Sequence, residues 1–170
     1  MIIGITGYAG VGKDTLADML VESEGFEKRA FADKVREAYY EVAPVEHQEL
    51  IDELGWDAAK RENLFIRAGL QGIGAMCRKV FGKDFWIKQA LSIELGNNIV
   101  FSDVRYENEA YAIRKAGGII IRLRRDGIEP FNDHESETNV DNIDPDMVIE
   151  NRTPEQALND VIELIEYLES

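Results

Sequence analysis

A glycine-rich run near the start of the chain combines the residue types that bind phosphate. The segment is Gly7-Tyr8-Ala9-Gly10-Val11-Gly12-Lys13-Asp14-Thr15, and its spacing Gly-x4-Gly-Lys is that of a Walker A loop. Glycines let the backbone turn its N–H groups inward around phosphates, and the start of a following helix adds positive potential. We therefore predict that the phosphates of ATP are held by Gly10, Val11, Gly12, Lys13, Asp14 and Thr15.

The position after Lys13 departs from the common pattern, in which a serine or threonine contacts Mg²⁺. Here it is Asp14, whose carboxylate can bind Mg²⁺ through water or simply favour the helix N-terminus. Thr15 can supply the hydroxyl instead, and the sequence leaves that choice open. Asp103 ends the apolar run Val100-Phe101-Ser102, as a Walker B acid should, although such a residue can also cap the next helix. The predicted Mg²⁺ ligands, partly through water, are Asp14, Thr15 and Asp103.

Arginines are expected around a second, phosphorylated substrate, because the guanidinium group binds phosphate through two parallel hydrogen bonds. Phosphoryl transfer depends on positioning and on charge stabilisation, so it needs several cations in the cleft. Each arginine also has an alternative role as a surface charge. The candidates are Arg67, Arg105, Arg122, Arg124 and Arg125. The predicted catalytic residues are Lys13, Arg67, Asp103, Arg105 and Arg124.

A further pair, Asp33-Lys34, follows another apolar run. Asp33 is either the N-cap of the next helix or a contact to the acceptor, and we predict the second role. Cys77 is the single cysteine and is predicted to be a buried structural thiol. With one cysteine and two histidines, a thiolate or multi-histidine metal site is excluded.

These residues need an architecture in which strands alternate with helices, and the hydrophobic pattern predicts it. An α/β fold with a parallel sheet covered on both faces binds its ligands at the carboxyl ends of the strands. The predicted strands are Met1–Thr6, Phe26–Phe31, Asn98–Asp103, Ile119–Leu123 and Met147–Ile149. The predicted helices include one ending near Gly25, then Ala32–Val42, Glu107–Lys115 and a last one capped by Thr153 with Pro154 at its first position.

Two stretches stand apart from this alternation. Residues 45–96 lack strand patterning and predict two or three helices, broken near Gly55 and near Gly82-Lys83-Asp84. Residues 124–145, hereafter the lid segment, are polar and too long for an ordinary loop, so they are either a functional lid or disordered. With no repeat or linker, residues 1–170 are predicted to form a single domain.

Charge and hydropathy limit the partners of the chain. The net charge of −14 comes from 33 acids against 19 bases, which argues against a long nucleic acid as a partner but not against a small anion. The apolar stretches are far too short to span a membrane, and no signal peptide is apparent. A cytoplasmic protein is therefore expected.

Together these segments resemble the bacteriophage-type deoxynucleoside monophosphate kinases, a P-loop family, over nearly the whole chain. The Walker A loop marks only the P-loop superfamily, and the later segments are more specific. The segments that carry the resemblance are the Gly-Lys-Asp-Thr end of the Walker A loop, Phe31-Ala32-Asp33-Lys34, Arg67-x2-Leu70-Gln71-x2-Gly74, Asp84-x-Trp86, Ser102-Asp103-Val104-Arg105-Tyr106-x2-Glu109 and His134-Glu135-Ser136-Glu137.

The resemblance implies a three-layer α/β/α fold with a helical acceptor-binding region at about 45–96 and a lid. It implies that ATP, with Mg²⁺, donates its γ-phosphoryl group to a deoxynucleoside monophosphate. Arg67 would contact the acceptor phosphate, whereas Asp103 and Arg105 would contact the metal and the transferring group. The implied acceptor-binding residues are Asp33, Lys34, Arg67, Gln71, Trp86 and Arg105, with helix packing as the alternative role of Trp86.

Two other functions share the same sequence features. Animal-type phosphomevalonate kinases have a similar Gly-Lys-Asp loop, so another phosphorylated acceptor is an alternative. A switch that binds and slowly hydrolyses ATP is a third, which Arg67 and the helical region argue against. The sequence leaves open which bases are accepted and whether the chain forms a homodimer. If the protein is phage-encoded, the expected location is the host cytoplasm.

Overall fold

The computed structural model describes residues 1–91 and 98–170. Its contacts divide the described chain into two compact units, residues 1–30 with 98–170 and residues 31–91. The first unit contains the sheet and the second is helical. The single-domain organisation drawn from the sequence stays a prediction. No helix in the described ranges is long and apolar enough to cross a membrane.

The sheet has five strands in the order β2-β3-β1-β4-β5, and every neighbouring pair is parallel. Each strand falls within one residue or two of its predicted position, which confirms the α/β class. Parallel strands end at the same edge of a sheet, so the residues after β1, β3 and β4 lie along one edge. The strands are β1 (Ile2–Thr6), β2 (Glu27–Arg29), β3 (Ile99–Val104), β4 (Ile119–Arg124) and β5 (Met147–Glu150).

Helices cover both faces of the sheet. On one face, side chains of α1 (Lys13–Glu24) and α8 (Pro154–Glu169) share a buried apolar cluster with alternate residues of β1 such as Ile3 and Ile5. On the opposite face, α6 (Glu107–Lys115) brings Ile113 against β1 at Gly4. The three layers follow from strands that are apolar on both sides.

Two of these helices, α8 and α6, begin at the residues that the sequence predicts, and each start is capped by a side chain. The Thr153 hydroxyl accepts a hydrogen bond from the backbone N–H of Gln156, and Pro154 occupies the first turn of α8. At the start of α6, the buried carboxylate of Glu109 accepts hydrogen bonds from the backbone N–H groups of Arg105 and Tyr106. Both devices satisfy N–H groups that a helix leaves without intrahelical partners.

The helical unit contains α2 (Asp33–Val42), α3 (Val45–Glu62), α4 (Leu64–Phe81) and α5 (Phe85–Leu91). The break predicted near Gly82 separates α4 from α5. The break predicted near Gly55 is also present, because a kink interrupts α3 there and Gly55 has non-helical backbone angles, with a φ of 76° and a ψ of 164°. The separation between α3 and α4 is at Asn63, whose side chain caps α4 by accepting from the N–H of Phe65.

Other predictions in this part of the chain have mixed outcomes. The predicted end of the helical region, at residue 96, lies outside the described residues. Cys77 is buried on α4, as predicted. In the other unit, the lid segment contains a short helix, α7 (Glu135–Thr138), followed by a 3-10 turn at Asn139–Asn142.

The close packing of β1 against α6 makes Gly4 a sensitive position. A Cβ there would lie 2.7 Å from the Cδ1 atoms of both Ile113 and Ile120. We expect Gly4→Ala to lower the free energy of unfolding by about 1–3 kcal/mol, because extra volume in a packed core forces side chains off their rotamers. Urea unfolding measures this change.

The matched control is Gly72→Ala in α4, where an added Cβ meets nothing within 4 Å. Alanine is the better helix former, so this variant should be neutral or stabilised by up to about 1 kcal/mol. Equal effects of the two substitutions would contradict the packing argument.

Candidate phosphate-binding site

The loop between β1 and α1 wraps closely against the neighbouring strands. Gly7, Gly10 and Gly12 have φ values of 144°, 86° and 100°, in the region that favours glycine. A Cβ at Gly7 would lie 2.4 Å from the carbonyl oxygen of Leu123 in β4. A Cβ at Gly12 would lie 2.5 Å from Nδ2 of Asn151, just after β5. Glycine is therefore required at Gly7 and Gly12 for both conformation and space.

Lys13 begins α1 with its side chain folded over this loop. Lys13 is only 7% exposed, and its Nζ donates hydrogen bonds to the carbonyl oxygens of Gly7 (2.8 Å) and Tyr8 (2.7 Å). Burial, and then the positive charge of Arg105, lower the pKa of Lys13 to about 8. An ammonium group buried among backbone dipoles is a strong and oriented site for an anion.

Asp14 lies beside Lys13 and is tied to two neighbouring strands. Oδ1 accepts a hydrogen bond from the buried hydroxyl of Ser102 in β3 at 2.8 Å and lies 3.0 Å from Nζ of Lys28 in β2. Burial raises the pKa of Asp14, but the hydrogen bonds from Ser102 and Lys28 and the nearby positive charges outweigh it, so the pKa is lowered. Asp14 is therefore a carboxylate at neutral pH, and its side chain remains about half exposed.

The other predicted metal ligands differ in environment. Thr15 is exposed, and Asp103 at the end of β3 is half-buried. Asp14 and Asp103 both lie close enough to Lys13 to raise its pKa. Within residues 1–91 and 98–170, no group of three or more acids, histidines or cysteines forms a site that could hold a metal by itself. These residues fit Mg²⁺ only in the mode in which one or two carboxylates share the ion with substrate phosphates and water.

Arg105 follows β3 and contacts the lid segment. Its Nη1 donates to Oε1 of Glu137 at 2.5 Å and to the carbonyl oxygen of Ser136 at 2.9 Å. Glu137 is 2% exposed, so this ion pair is largely removed from water. The charge of Arg105 acts on Lys13, which places the two predicted catalytic cations in one electrostatic environment.

The arginines of β4 have different surroundings. Arg122 is buried, and its Nη2 donates to the carbonyl oxygens of Val140 and Ile143 at the far end of the lid segment. It therefore anchors the lid segment, and it also lines the cavity beside the glycine loop. Arg124 and Arg125 are exposed at the end of β4 and the start of the lid segment.

A cavity of about 420 Å³ opens between the glycine loop and the lid segment. Tyr8 of the loop and Asp141 of the lid segment both line it, and the Tyr8 hydroxyl donates to both oxygens of Asp141 at 2.7 and 2.8 Å. The hydrogen bond to Asp141, followed by burial, raises the pKa of Tyr8. The cavity is also lined by Arg124, Arg125, Gly127, Ile128 and Glu150.

Asn151 braces the glycine loop and was not singled out from the sequence. Its Nδ2 donates to the carbonyl oxygen of Val11 at 2.7 Å, and its backbone N–H donates to the carbonyl oxygen of Arg124. The side chain is 7% exposed, and Oδ1 has no partner among the described residues. The available signal was its place directly after the last strand, at the same edge of the sheet as the loop.

The predicted acceptor-binding residues other than Arg105 belong to the helical unit. Asp33 begins α2 and pairs with Arg36 at 2.9 Å, and Lys34 pairs with Glu37 at 2.6 Å. Arg67 and Gln71 are half-buried on α4, one turn apart. Their roles stay predictions.

Trp86 is buried in α5 of this unit. Its indole N–H donates to the carbonyl oxygen of Gly74 at 3.0 Å, and its ring packs edge-on against Phe85. The hydrogen bond joins α5 to α4, which is the helix-packing role that the sequence left as an alternative. A pocket role for Trp86 stays a prediction.

Comparison of sequences supports the resemblance drawn from the motifs. No family model matches the chain. A protein of Acanthamoeba polyphaga mimivirus, named "Putative deoxynucleotide monophosphate kinase", is 28% identical over 186 residues, a match that covers 98% of this chain and 96% of that protein. The resemblance drawn from the motifs is confirmed in this form: the chain is similar, over nearly its whole length, to a protein named as a deoxynucleotide monophosphate kinase.

Solved structures of several kinases align with nearly all of the chain. A shikimate kinase from Aquifex aeolicus is 12% identical with a TM-score of 0.48, and the match covers 98% of this chain and 96% of that one. An APS kinase from Mycobacterium tuberculosis is 17% identical with a TM-score of 0.45, covering 97% and 96%. The fold assignment itself rests on the parallel sheet and the glycine loop of this chain.

The low pKa of Lys13 can be measured directly. Lysine is cationic below its pKa, so with a pKa of about 8 the charge of Lys13 is lost mainly between about pH 7 and 9, whereas an ordinary lysine keeps it to about pH 10. We expect the ¹³Cε resonance of Lys13 to titrate near pH 8. Because Arg105 lowers this pKa, Arg105→Met should move the midpoint upward. A wild-type midpoint above pH 10 would contradict the assigned environment.

The brace at Asn151 is tested by Asn151→Asp, which keeps the shape of the side chain but removes the N–H donor. The new carboxylate would face the carbonyl oxygen of Val11, so we expect a loss of about 1–3 kcal/mol in the free energy of unfolding. The control is Asn159→Asp on the exposed surface of α8, which should change it by less than about 0.5 kcal/mol. Urea unfolding of both variants distinguishes a brace from a general effect of charge.

Proposed function

We propose that the protein transfers the γ-phosphoryl group of ATP to a deoxynucleoside monophosphate, giving a deoxynucleoside diphosphate and ADP. The observation that carries the proposal is the buried ammonium group of Lys13, held over a glycine loop at the carboxyl edge of a parallel sheet. The similarity to the mimiviral protein, which covers nearly all of both chains, supports the choice of a nucleotide kinase.

The proposed donor site combines the loop with the adjoining cavity. The N–H groups at the start of α1 and Nζ of Lys13 would hold the β- and γ-phosphates, with the phosphates replacing the carbonyl oxygens of Gly7 and Tyr8 as acceptors from Nζ. The nucleoside of ATP would occupy the cavity beside Tyr8 and Arg124, whose volume of about 420 Å³ suits a ligand of that size.

Magnesium is the proposed cofactor. Asp14 and Asp103 would hold Mg²⁺, directly or through water, together with the phosphates, and Thr15 adds a hydroxyl beside them. When bound, the ion neutralises charge on the β- and γ-phosphates. Oδ1 of Asp14 is already engaged by Ser102 and Lys28, which orients the carboxylate before any ligand arrives.

Phosphoryl transfer requires positioning of the substrates and stabilisation of negative charge, and it does not require a strong base. The acceptor phosphate is already ionised at neutral pH, so no proton has to be removed before it attacks. Lys13, Arg105 and Arg124 would stabilise the charge that spreads over the transferring oxygens. The proposed acceptor contacts are Asp33, Lys34, Arg67, Gln71, Trp86 and Arg105.

The proposal is tested by coupling ADP production to a spectrophotometric signal. Purified protein is given ATP, Mg²⁺ and one of a panel of dNMPs, NMPs or phosphomevalonate. We expect a dNMP to raise ADP production far above the rate without acceptor, and Lys13→Ala to lower kcat by about 10²–10³-fold while the protein stays folded. Selective use of phosphomevalonate would assign a different acceptor. No acceptor-dependent rate at all would refute a kinase.

The acceptor assignment has its own test within the same assay. Arg67→Ala should mainly weaken use of the acceptor, by about 10–100-fold in kcat/KM for the dNMP, with little change in the KM for ATP. The control is Arg78→Ala on the same helix, where Arg78 donates to the carbonyl oxygen of Lys83. If both acceptor constants of Arg67→Ala equal those of the wild type, the assignment is wrong.

A further inference from the structure

Glu137 is a buried carboxylate whose burial needs a reason. It lies in α7 of the lid segment and is 2% exposed, although its neighbour Glu135 is exposed. Oε1 accepts from Arg105, whereas Oε2 is buried with no hydrogen-bond partner in the described part of the chain. A carboxylate in such a place is unfavourable unless a charged partner offsets the loss of hydration. That partner is Arg105.

The contacts of Arg105 leave part of its guanidinium group able to bind an anion. Within the described residues, both hydrogen bonds of its side chain use Nη1, one to Oε1 of Glu137 and one to the carbonyl oxygen of Ser136. Nε and Nη2 lie together on another edge of the planar group, and such a donor pair matches two oxygens of a phosphate. Glu137 thus fixes the rotation of the guanidinium group while leaving a phosphate-binding edge.

The ion pair also belongs to the environment of the glycine loop. The charges that act on Lys13 come from four elements: Arg105 after β3, Asp103 in β3, Asp14 in α1 and Glu137 in α7. Arg105 lowers the pKa of Lys13, and the three carboxylates raise it. Glu137 therefore offsets the repulsion between the two cations without itself being exposed.

We propose that Glu137 is a positioning residue for phosphoryl transfer: it holds Arg105 in the orientation that receives the transferring group. The inference rests on the proposed kinase function and adds a contribution of the lid segment to it. Glu137 touches no reacting atom and acts only through Arg105. This role gives a reason why one acid of the acid-rich lid segment is buried.

The test is Glu137→Gln, which keeps the size of the side chain and its acceptor oxygen but removes the charge. We expect kcat to fall about 10–100-fold, as for other residues that orient a functional group. The KM for ATP should stay within about twofold, because Lys13 and the loop are intact. Glu135→Gln, in the same turn but exposed, should behave as the wild type.

A comparison of kcat with KM separates positioning from a purely structural role. A positioning residue lowers kcat while the KM values stay near those of the wild type, whereas general damage to the site raises KM as well. An unchanged kcat in Glu137→Gln would overturn the inference.

A double-mutant cycle tests whether Glu137 acts through Arg105. In an Arg105→Ala background, Glu137→Gln should lower kcat no further, since the group that it positions is gone. Equal fold-losses in both backgrounds would overturn the inference. If Glu137→Gln does not fold, Glu137→Asp replaces it; this variant keeps the charge but withdraws it from Nη1, so kcat should fall while the KM for ATP stays within about twofold.

The assay also distinguishes the two proposals. A wild-type protein that uses none of the acceptors contradicts the proposed function, and the inference falls with it. An active wild type whose Glu137→Gln and Glu137→Asp variants keep full kcat contradicts the role of Glu137 alone. Thermal melting of every variant shows that the comparisons are made on folded protein.

Discussion

The close approach of the glycine loop to the ends of β4 and β5 is the constraint on which the site depends. Gly7 leaves no room for a side chain against the carbonyl of Leu123, and Gly12 leaves none against Asn151. This fit turns the loop so that two of its carbonyl oxygens receive the ammonium group of Lys13. The sheet order, in which β4 and then β5 follow β1, brings the ends of these two strands next to the loop.

The electrostatics of the site contrast with those of the whole chain. The protein carries a net charge of −14, yet Lys13 and Arg105 lie close together in a largely buried region. Each of these cations is surrounded by fixed acceptors: loop carbonyls for Lys13, and Glu137 with the Ser136 carbonyl for Arg105. Because Glu137 and the Ser136 carbonyl are part of the folded chain, Arg105 needs little reorganisation when an anion arrives, whereas Nζ of Lys13 must exchange the loop carbonyls for the anion.

Sequence patterns predicted the parts of the structure that depend on local signals. The strands, the Walker A loop, the break at Gly82 and the cap at Thr153 each follow from residues adjacent in the chain. The kink at Gly55 also follows from a local signal, because a glycine with positive φ interrupts the helical backbone there. The contacts of Asn151, Glu137 and Arg122 could not be predicted, since each joins segments separated by 18 to 140 residues. Their positions are set by tertiary packing, which has no local pattern.

The anchoring of the lid segment by Arg122 has a consequence for how such a protein can diverge. The start of the segment is fixed because it continues β4, and its far end is fixed where Arg122 binds the carbonyls of Val140 and Ile143. Between these points, residues 126–133 can gain or lose length at little entropic cost, because loop closure depends only weakly on loop size. Insertions and deletions there would reshape the cavity wall and leave the glycine loop untouched. The cavity wall and the glycine loop can therefore change at different rates in evolution.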